Sequence, residues 1–175
     1  MPFTLRPAAP PDAPALAHIH TTSWRETYAG LMPEDFLARM TDEAARQRRQ
    51  AGWERTLAEG RELVLVAEQD SEVVAFASGG PAGDHPGVEA ELYTLYALQA
   101  AHGQGLGRAL LHTLARELGA GGARNLALWV LDVNPTRQWY ARQGGREAGQ
   151  KVVALPGGAE LREVRLVWDD LARLR

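Results

Sequence analysis

"AHGQGLGRALL", residues Ala101–Leu111, sets three glycines at alternate positions, Gly103, Gly105 and Gly107, directly before a strongly helical run. Glycine in a helix costs about 1 kcal/mol relative to alanine, so three of them at a helix start need a reason. Between a strand and a helix, glycines let the main chain approach a ligand closely, and the first N–H groups of a helix have no partner inside it. Those groups and the helix dipole favour phosphate. The stretch reads as a diphosphate cradle built from Gly103, Gln104, Gly105, Leu106, Gly107 and Arg108. Arg108 in the first turn opposes the dipole, and a bound phosphate would offset that cost. A turn of this kind also occurs without a ligand, and the loop alone leaves both readings open.

Two nucleotide motifs fail. A P-loop needs Gly-Lys-Ser/Thr, and Arg108-Ala109 follows instead. The dinucleotide pattern G-x-G-x-x-G/A puts Arg108 or Leu110 at its last position in the two possible registers.

The expected helix runs from about Gln104 to Leu118, with Leu106, Ala109, Leu110, Thr113 and Leu114 on one face. "EAELYTLYAL" (Glu89–Leu98) before it reads as a strand, and "RNLALWVLDV" (Arg124–Val133) after it as a strand covered on both faces. A short strand is expected at Phe3–Ala8, then a helix with Asp12 or a nearby proline at its start. Two more helices follow, the second with Thr41 as N-cap. "ELVLVAEQDSEVVAFASGG" reads as a hairpin. "NPTRQWYARQGG" reads as a short helix with Asn134 as N-cap and Pro135 at its first position. Strands near Glu147–Leu155 and Glu160–Trp168, joined by the hairpin loop "LPGGAE", close the chain. The order β, helices, β, β, β, α, β, α, β, β predicts one α/β domain over residues 1–175 with a mixed, mostly antiparallel sheet.

The chain has 175 residues and a formal net charge of -3, which gives no basic footprint for nucleic acid. Lys151 is its only lysine. The absence of cysteine excludes disulfides and thiolate catalysis, and it suits a reducing cytoplasm. No apolar run reaches the roughly 18 residues of a membrane span, so a cytoplasmic protein is expected. His18 and His20 lie two apart on different helix faces, and no metal is expected.

Together, "LYTLYALQAAHGQGLGRALL" (Leu92–Leu111) and "LALWVLDVNPTRQWYARQGG" (Leu126–Gly145) resemble the GNAT superfamily of acetyl-CoA-dependent N-acetyltransferases. Gly105-Leu106-Gly107 match the end of its Q/R-x-x-G-x-G/A signature. Asn134, Trp139, Tyr140 and Gly144 follow the order of N-x-x-A-x-x-F/W-Y-x-x-x-G-F, with one residue fewer between Asn134 and Trp139. His102 stands where Gln or Arg is usual, Arg137 where a small residue is usual, and Gly145 where Phe is usual. "HTTSWRETYAGLMPEDFL" (His20–Leu37) is similar to the early segment of bacterial polyamine N-acetyltransferases.

The resemblance implies a GNAT fold with splayed parallel strands at the cofactor site, acetyl-CoA as co-substrate, and direct attack by a primary amine, with small amines and polyamines favoured. It implies that Leu95, Tyr96 and Ala97 lie along the pantetheine arm, with one N–H near the thioester oxygen. Such a donor is worth roughly 3 kcal/mol in comparable oxyanion holes. Tyr140 matches the family's general acid, the alternative being a core tyrosine beside Trp139. Glu91, or Glu89 on the same strand face, is the expected base, directly or through water; the alternative is an exposed strand-end carboxylate. Asn134 either touches the cofactor arm or caps its helix, or does both through different groups. Trp24 and Tyr28 share a helix face and form either a pocket for a cationic amine or core. Family members are often dimers, so a homodimer is a further expectation. Two other readings stand beside the enzyme: a non-catalytic CoA-binding sensor or partner module, and an unrelated nucleotide-binding domain.

Overall fold

The computed structural model describes residues 2–155, 158 and 160–174. Seven strands form one sheet: β1 (Thr4–Pro7), β2 (Leu63–Gln69), β3 (Glu72–Pro81), β4 (Ala90–Ala97), β5 (Leu126–Leu131), β6 (Arg146–Ala154) and β7 (Glu160–Trp168). Their spatial order is β1-β2-β3-β4-β5-β7-β6, and every neighbouring pair is antiparallel except β4–β5. The helices are α1 (Ala13–Tyr28), α2 (Glu34–Thr41), α3 (Glu43–Glu59), α4 (Leu106–Ala120) and α5 (Thr136–Arg142). The mixed sheet expected from the hairpins and the crossover helix is the one observed. Pro156, Gly157 and Ala159 of the expected "LPGGAE" loop lie outside the described residues, while the strands beside it pair with Ala154 opposite Glu160.

Each face of the sheet has its own core. α4 covers one face with Leu106, Leu110, Leu111 and Leu114, against Leu92, Leu126 and Leu128. Burial of each such leucine contributes roughly 2 kcal/mol. The buried face of α4 is turned toward Leu111 and Ala115 from the expected one, leaving Ala109 and Thr113 half-buried. α1 and α3 cover the other face, where Leu16, Ile19 and Trp53 meet Val64, Val66 and Phe76.

The cap of α3 differs from expectation. Asp42, not Thr41, caps α3, its side chain accepting from Ala45 N at 2.7 Å. Thr41 ends α2 instead, and its hydroxyl donates to Leu37 O. Asp12 stands at the start of α1 with Pro14 in the first turn, as expected, and its carboxylate accepts from Ala9 N and pairs with Arg6 at 2.7 Å. That ion pair holds the Asp12 pKa below the usual carboxylate range.

β4 decides the site. Its pairing with β3 shifts between Ser78 and Gly79: Ser78 faces Thr94 and Gly79 faces Leu92, so Tyr93 is an extra, bulged residue. The bulge reverses the strand's alternation. Ala90 and Leu92 face the α4 core before it, and Leu95 and Ala97 face the same core after it. Gly79 allows the close approach, since a Cβ there would lie 2.6 Å from Glu91 O. On the other side β4 pairs with β5 only at Ala90–Leu126 and Glu91–Ala127. Beyond Glu91 no pairing joins the two strands.

Candidate active site

Two cavities meet at this opening. The first, of about 260 Å³, is walled by Trp24 and Tyr28 of α1, by β4, and by Trp129, Leu131 and Glu163 of β5 and β7. The second, of about 400 Å³, runs from Leu95–Ala97 to Gly103–Arg108 and Trp139. Leu95, Tyr96, Ala97, His102, Thr136 and Tyr140 border both.

The second cavity begins at the glycine turn. Gly103 and Gly105 have φ of +76° and +83°, a region costly for any residue with a Cβ. Gly107 serves differently: a Cβ there would touch Trp139 at 3.5 Å. α4 starts at Leu106, two residues later than expected. Ala109 N donates to Gly105 O, but the N–H groups of Gly103, Gly105, Leu106, Gly107 and Arg108 have no acceptor among the described residues. Unpaired amides at the positive end of a fifteen-residue helix suit an extended anionic ligand such as a diphosphate. Gln104 is turned aside, with its amide on Gln69 at 2.7 Å. The His102 ring nitrogen Nε2 lies 3.0 Å from Ala97 O.

The main chain of β4 supplies a second set of polar groups. Leu98 N donates to Val74 O on β3. Strand alternation therefore turns the N–H and C=O of Leu95 and Ala97 toward the gap. Ala97 O accepts there from Ser23 Oγ as well as facing His102. The Tyr96 side chain points to the opposite face, where its ring stacks on His20 at 4.5 Å and its hydroxyl accepts from Trp24 Nε1.

Three phenols converge on the first cavity. Burial raises the pKa of Tyr140, Tyr28 and Tyr96 above the usual phenol value; the phenols of Tyr96 and Tyr28 add to the rise at Tyr140. Tyr28 accepts from Asn134 Nδ2 at 2.8 Å, and Asn134 Oδ1 accepts from Thr136 N at 2.9 Å. Pro135, not Asn134, is the N-cap of α5, which starts at Thr136; Asn134 instead braces the preceding turn through Oδ1 and ties it to α1 through Nδ2. The Tyr140 hydroxyl has no hydrogen-bond partner among the described residues. Trp139 and Trp168 pack edge-on against its ring.

Trp24 and Tyr28 both line the first cavity, although Arg49 already lies over the Trp24 ring at 5.5 Å. Glu91 lines neither cavity. Its carboxylate accepts from Gly83 N at 3.2 Å and lies 3.3 Å from His85 Nε2. Glu89 is bound to Arg124, through both the side chain and the main-chain N–H. Sequence reading missed Glu163 and Trp129. Their signal was the alternation of charged and apolar residues in Glu163-Val164-Arg165-Leu166, which marks a strand with one polar face. Among the described residues no group of three or more His, Asp or Glu side chains is arranged to hold a metal ion, and no helix is long and apolar enough to cross a membrane.

Residues 14–144 match the acetyltransferase (GNAT) family. The chain is 32% identical over 173 residues to an uncharacterized N-acetyltransferase, YuaI, of Bacillus subtilis (strain 168), covering 98% of this chain and 96% of that protein. Its structure resembles the PaiA N-acetyltransferase of Thermoplasma acidophilum in complex with coenzyme A, with a TM-score of 0.68, 22% identity, and 93% and 98% of the two chains covered. It also resembles a ribosomal-protein-alanine N-acetyltransferase of Brucella melitensis, with a TM-score of 0.71, 28% identity, and 94% and 98% covered. The family match over most of the chain and the 32% identity over nearly its whole length show that the chain belongs to the acetyltransferase (GNAT) family.

Proposed function

We propose that the protein acetylates a small primary amine by direct attack, with Tyr140 as general acid. The observation that carries this reading is the unpartnered Tyr140 hydroxyl on the border of both cavities. Bound acetyl-CoA supplies the activated acetyl group and a thiol leaving group. The amides of Gly103 and Gly105–Arg108 hold its diphosphate, with Gln104 shaping the turn and Leu106 and Gly107 bringing α4 close. Leu95, Tyr96 and Ala97 run along the arm, and the gap-facing N–H of Leu95 or Ala97 stabilises the charge that develops on the carbonyl oxygen. Asn134 braces the turn that leads into α5, which carries Tyr140.

The amine enters from the first cavity, whose roughly 260 Å³ suits a short aliphatic chain. Trp24 and Tyr28 form its aromatic wall. An alkyl ammonium has a pKa of about 10.4, so it gives up a proton before attack. Glu91 takes that proton through water, because its carboxylate lines neither cavity and is committed to Gly83 N and His85. Nitrogen then bonds to the acetyl carbon as the carbon–sulfur bond breaks, Tyr140 donates its proton to the sulfur, and the second proton shed by the nitrogen as the amide forms returns Tyr140 to its phenol. Burial keeps Tyr140 protonated for this step.

Polyamines fit the same site as longer cationic amines. A cysteine-free chain fits a reducing cytoplasm. A homodimer would use the sheet edge at β6, where Val152 and Val153 are exposed. Thiol release from acetyl-CoA across a panel of amines tests the reading. Turnover of short primary amines, lost in Tyr140→Phe, supports it; turnover confined to peptide N-termini refutes the small-amine assignment.

A further inference from the structure

Glu163 is the carboxylate of the first cavity, and no lysine or arginine lines that cavity among the described residues. It stands on β7 opposite Leu131 of β5. Its carboxylate lies 3.4 Å from Lys151 Nζ. The same ammonium lies 3.3 Å from Asp84 and 4.1 Å above the centre of the Trp129 ring. Two carboxylates and an indole face around one ammonium make a cation cage, and this chain's single lysine fills it. Glu163 and Trp129 belong both to that cage and to the cavity wall. The Trp129 indole N–H is buried without a hydrogen-bond partner, so this wall is less than fully satisfied by the protein alone.

The strand order sets which end of an acceptor meets Glu163. The reacting nitrogen lies beside β4, where Leu95 and Ala97 turn their amides into the gap. β5 separates β4 from β7, and β4 and β5 part beyond Glu91, so those backbones lie farther apart than the about 10 Å of two regular strand spacings. The Glu163 side chain crosses part of that width and leaves several ångströms between its carboxylate and the reacting nitrogen. A chain of three or four methylenes spans such a gap.

We propose that Glu163 is a specificity-determining residue for acceptors with two cationic nitrogens, and that Lys151 is its resident competitor. One nitrogen of a short aliphatic diamine reacts beside β4, and the other pairs with Glu163 in place of Lys151. This rests on the primary-amine reading above. The competing account makes Glu163 only the counter-ion that holds Lys151 in the sheet.

Initial rates with acetyl-CoA and either 1,4-diaminobutane or butylamine separate the two accounts, measured on wild type, Glu163→Gln and Lys151→Met. The wild type is expected to favour the diamine at least tenfold in kcat/KM. Glu163→Gln is expected to raise the diamine KM at least tenfold more than the butylamine KM, with Glu163→Asp recovering part of the loss. Lys151→Met, which removes the competitor, lowers the diamine KM. Equal use of both amines by wild type, or equal effects of Glu163→Gln on both, overturns the proposal and leaves the primary-amine reading standing. A diamine KM unchanged or raised in folded Lys151→Met also overturns it, even where Glu163→Gln fails to fold. Turnover of neither amine defeats the primary-amine reading itself and this proposal with it.

Discussion

A Cβ on residue 145 would fall 2.9 Å from Cζ2 of Trp168 and 3.1 Å from the Tyr140 carbonyl, so Gly145 and the Trp168 indole share one space. The family pattern puts Phe at position 145; here the indole from β7 fills that volume and donates to Gln143 O at 2.9 Å. Gly145→Phe should therefore overpack the site and cost about 1–3 kcal/mol. Adding Trp168→Leu should recover part of that loss, a non-additivity that urea unfolding of the single and double variants would measure. Additive losses would show that the two positions do not compete.

Tyr140→Phe removes the only group offered as general acid while keeping the ring between Trp139 and Trp168. The expected result is a fall in kcat of about 10²-fold or more, with acetyl-CoA affinity little changed. Steady-state kinetics and calorimetric titration of acetyl-CoA check the two halves separately.

Gly105→Ala and Gly107→Ala should behave differently, though both add one methyl to the same turn. At Gly105 nothing lies within 4 Å of a new Cβ, but φ is +83°, so the penalty is backbone strain of about 1–2 kcal/mol and misdirected amides. Gly107 has ordinary helical geometry and would gain only a normal contact with Trp139. The KM for acetyl-CoA should rise severalfold or more in Gly105→Ala and change far less in Gly107→Ala.

Burial first, and the Arg49 guanidinium second, lower the His20 pKa from 6.5 to about 3. The unfolded chain takes up a proton below pH 6.5 that the folded protein refuses. The stability contribution is thus complete above pH 6.5 and is lost as pH falls toward 3, at up to about 1.4 kcal/mol per pH unit. His20→Gln should flatten that dependence in unfolding midpoints compared at pH 7 and pH 5.

The strand and helix order was legible because each element carries its own local pattern, as in the hairpin around Asp70-Ser71 and the short helix that follows Pro135. That Gly103–Arg108 form a turn at a helix start was legible because the glycines lie in one short, contiguous motif. Glu91 shows the limit. Spacing told which face of β4 it occupies, while its partners Gly83 and His85 come from a loop whose path over the strand has no local signature. The cage of Trp129, Lys151 and Glu163 was hidden for the same reason, since it arises only when β5, β7 and β6 pair. Thr41 and Asp42 are adjacent and both good caps. The choice between them turned on Thr41 bonding back to Leu37 within its own helix.

The extra residue at Tyr93 lets β4 present amides to the reaction while its side chains stay in the interior. On the proposed reading, what grips the acyl donor is mostly backbone, which substitutions that keep the local φ and ψ leave in place. The far wall consists of side chains from α1, β5 and β7, each exchangeable on its own. Descendants of such a chain can trade one amine for another without relearning how to use the donor.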